Sequence, residues 1–485
     1  MKLYSKNENY KLYQGNMLDM LDVIEKESID SIVTDPPYEL NFMSKGWDNA
    51  GISFQKETWQ KCYEVLKPGG YLLAFGGSRT FHRIAVAIED AGFEIRDTIM
   101  WLYGSGFPKS MDISKQIDKK GGNDYSKQFA KDLKQARESR NLTMKYCDDK
   151  YCNSSTNWSW YEGRKDGCRV PDYQTYLEII KEFPELEKYR ELIKEAEREV
   201  IGKGKAGLTK GTIANFAGTI EFDITAPSTD LAKKWQGWGT ALKPSFEPII
   251  VARKPFKGSL VDNVIKNGVG GINIDECRIE TNDIRKGGSG VIGITGFSKG
   301  KQDVYTNGRF PANTILTYDE NDFDEVCGGF PNTTTHGGGK ASFGGMFGNG
   351  KPITNIEAMQ KYKNDSGSAS RYFYCAKASK KDRDEGLENF KNTHPTVKPT
   401  SLMQYLVRLV TPNGGTVLDP FNGSGSTGKA VMYENKERNK NYKYIGIELT
   451  EEYLPIAKAR IEYVFNLPKE NAQMNIFDYD GVDNE

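Results

Sequence analysis

The residues Asp35-Pro36-Pro37-Tyr38, which follow the apolar run 29–33 and Thr34, constrain the fold of this chain more than any other stretch. Two consecutive prolines donate no N–H to a sheet ladder, so a central strand has to end there. A buried strand that stops at an acid, a rigid diproline and an aromatic gathers a carboxylate, backbone carbonyls and a flat ring at one tip. That tip fits a planar amine. Asp35 can accept from an exocyclic NH₂, the Pro36-Pro37 backbone can present a carbonyl to the second hydrogen, and Tyr38 can stack on the ring. A plain diproline turn is the other reading, because Asp and Pro are ordinary turn formers.

A second strand tip lies almost four hundred residues later, in Thr416-Val417-Leu418-Asp419-Pro420-Phe421-Asn422-Gly423-Ser424-Gly425-Ser426-Thr427-Gly428. A short apolar strand runs into an acid and a glycine-rich turn, and a helix-compatible stretch follows, so a ligand can approach the backbone at the strand's carboxyl end. The next apolar run, 442–447, ends in Glu448, 23 residues after Gly425, the spacing of an acid that binds ribose hydroxyls. Gly423 to Lys429 also satisfies the spacing of a phosphate loop. Ala430 decides against that reading, since it stands where a Ser or Thr hydroxyl holds Mg²⁺, and Asp419 would face the phosphates.

Between these tips apolar runs alternate with helical periodicity. Residues 10–13 read as a strand closed by Gln14-Gly15-Asn16, 17–24 as helical, 57–66 as a helix stopped by Lys67-Pro68-Gly69-Gly70, 71–75 as a strand, 81–91 as a helix and 94–101 as a strand. Alternation of this kind predicts a mostly parallel, doubly wound α/β sheet.

With 485 residues, 37% of them hydrophobic, the chain has room for two or three domains and a substantial core. Its formal net charge of zero does not exclude a nucleic-acid partner, because a local basic patch decides that, and the acidic tail 478–485 offsets basic stretches in the sum. Seven scattered cysteines point to a reducing compartment. Residues 1–13 lack the apolar core of a signal peptide and no run reaches the length of a membrane span, so the expectation is a cytoplasmic protein without a membrane segment. Cys147, Cys152 and Cys168 have neither a fourth ligand at usual spacing nor a nearby His, and no metal site is expected.

Asp35-Pro36-Pro37-Tyr38 together with Phe421-Asn422-Gly423-Ser424-Gly425 resembles the catalytic and cofactor motifs of DNA amino-methyltransferases that use S-adenosyl-L-methionine, and His394-Pro395-Thr396-Val397-Lys398-Pro399 resembles the segment leading into their cofactor turn. The catalytic motif comes first and the cofactor motif last, as in the permuted β-type arrangement, and Trp235 to Ala252 resembles prophage-encoded relatives. The resemblance implies a Rossmann-like, doubly wound, mostly parallel methyltransferase sheet that is circularly permuted and acts on double-stranded DNA by base flipping. An acid rather than Ser at position 35 leans to adenine as the target, with the exocyclic amine of cytosine as runner-up. Methylation at ring carbon 5 of cytosine needs a nucleophilic cysteine, in that family a Pro-Cys pair, and no such pair occurs here. A reading from another class is a DNA-binding regulator whose methyltransferase parts are inactive. A homodimer and a cognate restriction nuclease stay open.

Carried over motif by motif, the resemblance assigns catalysis to Asp35, Pro36, Pro37 and Tyr38. It assigns the cofactor to Asn16, where relatives usually carry Asp, and to Asp419, Pro420, Phe421, Asn422, Gly423, Gly425, Thr427, Glu448 and Lys398. Phe107, in a Gly-Pro loop, is the expected base contact, and Arg278, Arg285 and Arg309, interleaved with aromatics, are the expected phosphate contacts. Glu247 is expected to be structural and His394 a loop anchor. The expected organisation is a catalytic half in 1–120, a helical insertion in 121–200, a return to the sheet in 201–257, a glycine-rich target-recognition region in 258–370, a cofactor half in 371–466 and an acidic tail in 467–485. The insertion resembles a small helix-turn-helix domain of the phage-repressor type, or is a helical insert that only packs.

Overall fold

The computed structural model describes residues 2–40, 51–103, 110–120, 125–152, 157–163, 168–208, 218–279, 308–317, 374–375, 380–388 and 390–468. Phe107 and Arg285 lie outside them. The chain divides into two units, one formed by Met1–Gly106 with Ser245–Glu485 and the other by Phe107–Pro244.

The first unit is built on one ten-stranded sheet. In chain order its strands are β1 (Lys2–Lys6), β2 (Tyr10–Gln14), β3 (Ile29–Thr34), β4 (Leu66–Phe75) and β5 (Glu94–Tyr103), then, after the hairpin β6 (Val200–Leu208) and β7 (Gly218–Thr225) of the other unit, β8 (Phe246–Arg253), β9 (Thr314–Thr317), β10 (Tyr374–Cys375), β11 (Thr416–Asp419) and β12 (Lys443–Glu448). The order across the sheet is β1-β2-β12-β11-β3-β4-β8-β5-β9-β10. Pairing is parallel from β2 through β12, β11 and β3 to β4, and antiparallel on both sides of β8. The expected mostly parallel α/β sheet is present, and the permuted order puts β11 beside β3 although 385 residues separate Thr34 from Asp419.

Strand alternation supplies two cores. Val33, Leu73, Phe75, Ile249, Val251 and Val417 face one side, where they pack with Leu402, Leu406, Val431, Ala457 and Ile461 from the helices Thr400–Val410, Ser426–Arg438 and Leu454–Asn466. Ile32, Leu72, Ala74, Ile250, Ala252 and Leu418 face the other, against Met17, Met20, Trp59, Cys62, Ile84 and Ile88 from the helices Met17–Leu21, Lys56–Val65 and Phe81–Asp90. Central strands buried on both faces have to be apolar at consecutive positions, which is why 71–75 and 249–252 read as unbroken runs. β4 begins earlier than the glycines suggest. It enters the sheet at Leu66 opposite Ile29 and shifts register before Tyr71 pairs with Ser31, so Pro68 and Gly69 fall in the irregular stretch.

The second unit has its own core of Phe129, Leu133, Trp158, Tyr176, Ile179, Phe183 and Ile193, carried by the helices Tyr125–Ser139, Trp158–Tyr161, Tyr173–Glu182 and Arg190–Ala196. Arg137 reaches Glu162 with Nε at 2.5 Å and Nη2 at 3.1 Å, and the Trp158 indole donates to the same carboxylate at 2.5 Å. This unit is wider than the expected insertion. Among the described residues of the stretch 201–257, β8 alone joins the large sheet, and β6 and β7 pair with each other as a hairpin. Among the described helices none is long and apolar enough to cross a membrane, and among the described residues no group of His, Cys, Asp and Glu could hold a metal ion.

Candidate active site

Parallel pairing of β3, β4 and β11 brings their carboxyl ends to one edge of the sheet, and the residues that follow those ends build the site. Thr34, last in β3, donates its hydroxyl hydrogen bond to Asp419 Oδ1 at 2.6 Å, and Thr427 donates to Oδ2 at 2.7 Å. The Phe421 N–H adds a third donor at 3.1 Å. Asp419 is 2% exposed. Burial raises its carboxyl to about 6, against the pull of those three hydrogen bonds.

The turn after β11 holds a close approach open. Gly423 and Gly425 have φ of 51° and 75°, a region that favours glycine. A Cβ on Gly423 would stand 2.9 Å from His394 Nε2, and one on Gly425 would stand 2.9 Å from the Ala457 backbone. Glu448, at the end of β12, accepts from the Gly423 N–H at 2.6 Å and from the Thr450 N–H at 2.8 Å, and burial raises its carboxyl to about 7. Asn422 accepts from the Tyr444 hydroxyl at 2.8 Å, Pro420 is buried, and Phe421 packs near Trp59 at 6.4 Å between rings. Asp419, Pro420, Phe421, Asn422, Gly423, Gly425, Thr427 and Glu448 therefore share one turn and its supporting strand ends. Asn16 sits just past β2, whose last residue pairs with Glu448, but its side-chain oxygen is committed to the Leu18 N–H as a helix cap at 3.0 Å.

The other tip is held from below. The Ser53 hydroxyl donates to the Pro37 carbonyl at 2.6 Å and the Thr80 hydroxyl to the Tyr38 carbonyl at 2.8 Å. Among the described residues the Pro36 carbonyl accepts no hydrogen bond. Tyr38 packs over Gly77, where a Cβ would meet its ring at 3.2 Å. Its hydroxyl donates to Glu247 Oε2 at 2.7 Å. Burial first, then the charges of Asp35 and Glu247, push that phenol well above its usual range.

Two placements depart from expectation. Lys398, expected at the cofactor, donates to Asp35 Oδ2 at 2.6 Å and lies 3.3 Å from Glu247 Oε2, with its ammonium 5.3 Å from the Tyr38 ring centre and 5.0 Å from that of Phe75. Burial opposes its charge, but the two carboxylates outweigh that and hold the ammonium above its usual range. Glu247, expected to be structural, contacts Tyr38 and Lys398 because β8 runs antiparallel, which brings the start of that strand to the edge where its neighbours end. Tyr103 reaches the same carboxylate at 3.3 Å. The acid just ahead of the apolar run 249–252 was the available signal for Glu247.

Of the expected phosphate contacts, Arg278 and Arg309 lie on neighbouring segments, joined by a bridge between Ile279 and Arg309, and Arg285 lies outside the described residues. Arg278 pairs with Asp275 at 2.9 Å. Arg309 is 7% exposed. Trp101 packs in the core and donates to Thr317 at 2.9 Å, and the half-buried His394 ring packs edge-on against the Tyr453 ring at 4.5 Å.

Comparison with known proteins adds a family. The DNA methylase family profile N6_N4_Mtase matches residues 29–459. Type II methyltransferase M.HpaI of Haemophilus parainfluenzae is 33% identical over 114 residues, covering 22% of this chain and 36% of that protein. Type II methyltransferase M2.LlaDCHI of Lactococcus lactis subsp. cremoris is 30% identical over 120 residues, covering 21% of this chain and 44% of that protein. The matched segments thus span less than half the length of either relative. Among solved structures, PvuII DNA methyltransferase (cytosine-N4-specific) aligns over 98% of this chain and 94% of its own at 12% identity and a TM-score of 0.36.

Proposed function

We propose that this chain, which belongs to the DNA methylase family whose profile spans residues 29–459, moves a methyl group from S-adenosyl-L-methionine to the exocyclic amine of an adenine flipped out of double-stranded DNA. The observation that carries the reading is Asp35 Oδ1, a buried carboxylate oxygen that has no hydrogen-bond partner among the described residues, one residue before the Pro36 carbonyl and three before the Tyr38 ring. A buried acceptor left open costs free energy until a donor arrives, so its natural complement is a ligand N–H.

The residues fit the cofactor. Gly423 and Gly425 let the turn adopt positive φ and pack closely on His394 and Ala457, which shapes it for a ligand at the strand end, and Glu448 retains lone pairs for ribose hydroxyls after accepting its two backbone N–H groups. Asp419 and Asn422 fix the turn, and Phe421 lines it with an apolar ring. When bound, the cofactor supplies a sulfonium methyl that is already electrophilic.

The remaining work falls to this chain. Asp35 accepts one amine hydrogen and the Pro36 carbonyl the other, which aims the nitrogen lone pair away from both and towards the cradle across the β3–β11 junction. Positioning of this kind replaces an activated nucleophile. As positive charge develops on nitrogen, the Asp35 carboxylate stabilises it in a site that needs no reorganisation. Tyr38 stacks on the extruded base and offsets the few kcal/mol spent on unstacking it. An acid at position 35 supports adenine as the target. Contact with DNA phosphates is assigned to Arg278 and Arg285, and a base contact to Phe107.

The test is sequencing that distinguishes N6-methyladenine from N4-methylcytosine on DNA from cells expressing the chain or its Asp35→Ala variant. Methylated adenine at a defined sequence is expected for the parent only. Asp35→Ala should lower methyl transfer by about 10²-fold or more while S-adenosylhomocysteine affinity stays within a few-fold. Turnover above about a tenth of the parent would sink the role of Asp35.

A further inference from the structure

We propose that Glu247 and Lys398 are positioning residues for Asp35: Lys398 clamps one oxygen of its carboxylate, and Glu247 balances the lysine while holding Tyr38, so that the other Asp35 oxygen meets the target amine as an anion. This rests on the reading of Asp35 as the amine acceptor. The geometry behind it is a chain of contacts, Tyr103 and Tyr38 hydroxyls to Glu247 at 3.3 and 2.7 Å, Glu247 to Lys398 at 3.3 Å and Lys398 to Asp35 at 2.6 Å. It ends on Asp35 Oδ1, which is buried and has no hydrogen-bond partner among the described residues.

Each link does one thing. Without a partner on Oδ2 the Asp35 side chain could turn either oxygen, or neither, towards the amine; the ammonium removes that freedom. Two carboxylates converging on one pocket disfavour each other's charge, so one would take up a proton unless a cation stood between them. Lys398 is 7% exposed and is that cation. Of its three N–H donors, which need acceptors once water is excluded, two find them in the two acids. Glu247 also fixes the Tyr38 ring through its hydroxyl, which ties the orientation of the stacking surface to the orientation of Asp35.

The titratable groups facing the cluster are Asp35 and Tyr38 after β3, Tyr103 on β5, Glu247 on β8, Lys398 before the helix Thr400–Val410, Asp419 on β11, whose carboxyl feels Asp35, and His394, whose imidazole feels Lys398. Lys398 is the group among them that is positive while His394 is neutral. His394 is held neutral because burial lowers its imidazole to about 4.

The experiment compares Lys398→Met, Glu247→Gln, the double variant and Lys398→Arg in the full chain. Lys398→Met leaves the two acids facing each other. Methyl transfer should fall by about 10²-fold near pH 7, with the acid limb of the pH–rate profile moved upward so that part of the loss returns in alkali. Adding Glu247→Gln removes the repulsion and should return the acid limb to its parental place with about tenfold of the rate. Lys398→Arg keeps the charge and so keeps the acid limb, but the guanidinium cannot stand where the ammonium stood, and the rate should drop by about tenfold. A second readout needs neither cofactor nor DNA. Carboxyl carbon NMR, with Asp35→Asn identifying the resonance, should show Asp35 titrating at higher pH in Lys398→Met than in the parent, and back again in the double variant. An unchanged titration and an unchanged acid limb in Lys398→Met overturn the proposal. If Lys398→Met does not fold, an acid limb that moves in Lys398→Arg overturns it instead. Activity surviving in Asp35→Ala, which removes the acceptor altogether, would overturn the amine-acceptor reading separately, because the carboxyl titration in the Lys398 variants still reports the charge balance.

Discussion

Thr34 ends the strand that leads into Asp35, and its hydroxyl donates at 2.6 Å to Asp419 on the strand that leads into the glycine turn. One buried hydrogen bond thereby ties the two halves of the site together, and it does so on a carboxylate that burial has already raised to about 6. The consequence has a definite sign. The folded form of Asp419 binds its proton more tightly than the unfolded chain does, so keeping it ionised costs stability. The cost is absent below about pH 4, grows as pH rises to about 6 and stays constant above, reaching about 3 kcal/mol at most.

Thr34→Val removes a donor that favours the ionised form. The variant should lose about 1–3 kcal/mol of stability at pH 7.5 and clearly less at pH 4.5, where Asp419 is protonated in both proteins. Urea denaturation of parent and variant at the two pH values measures the difference. Equal losses at both would mean that the hydroxyl fills space and does not hold a charge.

Gly423→Val and Gly425→Ala should damage the cradle in different ways. At Gly423 the added side chain meets the His394 ring and projects into the ligand's approach, so S-adenosylhomocysteine should bind at least tenfold more weakly while the fold survives. At Gly425 the Cβ meets the backbone of the helix Leu454–Asn466, which cannot yield as a side chain can, and φ is 75°. Loss of stability by about 2 kcal/mol or more is expected there. Calorimetric titration and thermal melts separate the two effects, and normal affinity in both variants would remove the turn from the binding site.

Glu162→Ala should unfold the second unit selectively. Its carboxylate takes two hydrogen bonds from Arg137 and one from the Trp158 indole, all buried, so truncation strands a guanidinium and costs about 3–5 kcal/mol. Because Phe107–Pro244 has a core of its own, the loss should appear as an earlier transition in Trp fluorescence, with S-adenosylhomocysteine binding preserved. A single cooperative transition that carries cofactor binding down with it would contradict that independence.

Arg278→Gln combined with Arg285→Gln should weaken binding to all DNA sequences alike and make the logarithmic salt slope shallower by about two, one for each phosphate contact removed. Fluorescence anisotropy over a salt series gives the slope. An unchanged slope would move DNA contact away from both arginines.

The parallel sheet and the cofactor turn could be read from local sequence, because each depends on neighbours along the chain: apolar runs for strands buried on both faces, prolines that must end a strand, glycines that admit positive φ. The pairing of β3 with β11 was implied by the resemblance of the two motifs, since nothing local to either strand names its partner. Lys398 and Glu247 were legible as residues but not as members of the catalytic tip. Lys398 lies 363 residues from the carboxylate it clamps, and an isolated Lys reads by default as solvated. Glu247 reaches the site only because β8 is inserted antiparallel between β4 and β5. Strand direction follows from how the whole sheet closes around its core, and a charge at one end of an apolar run looks the same in either direction. Sequence alone determined which backbone could bend where and which strands had to be buried. Only the tertiary structure decided which acid meets which base, because that depends on the register and direction of strands brought together from opposite ends of the chain.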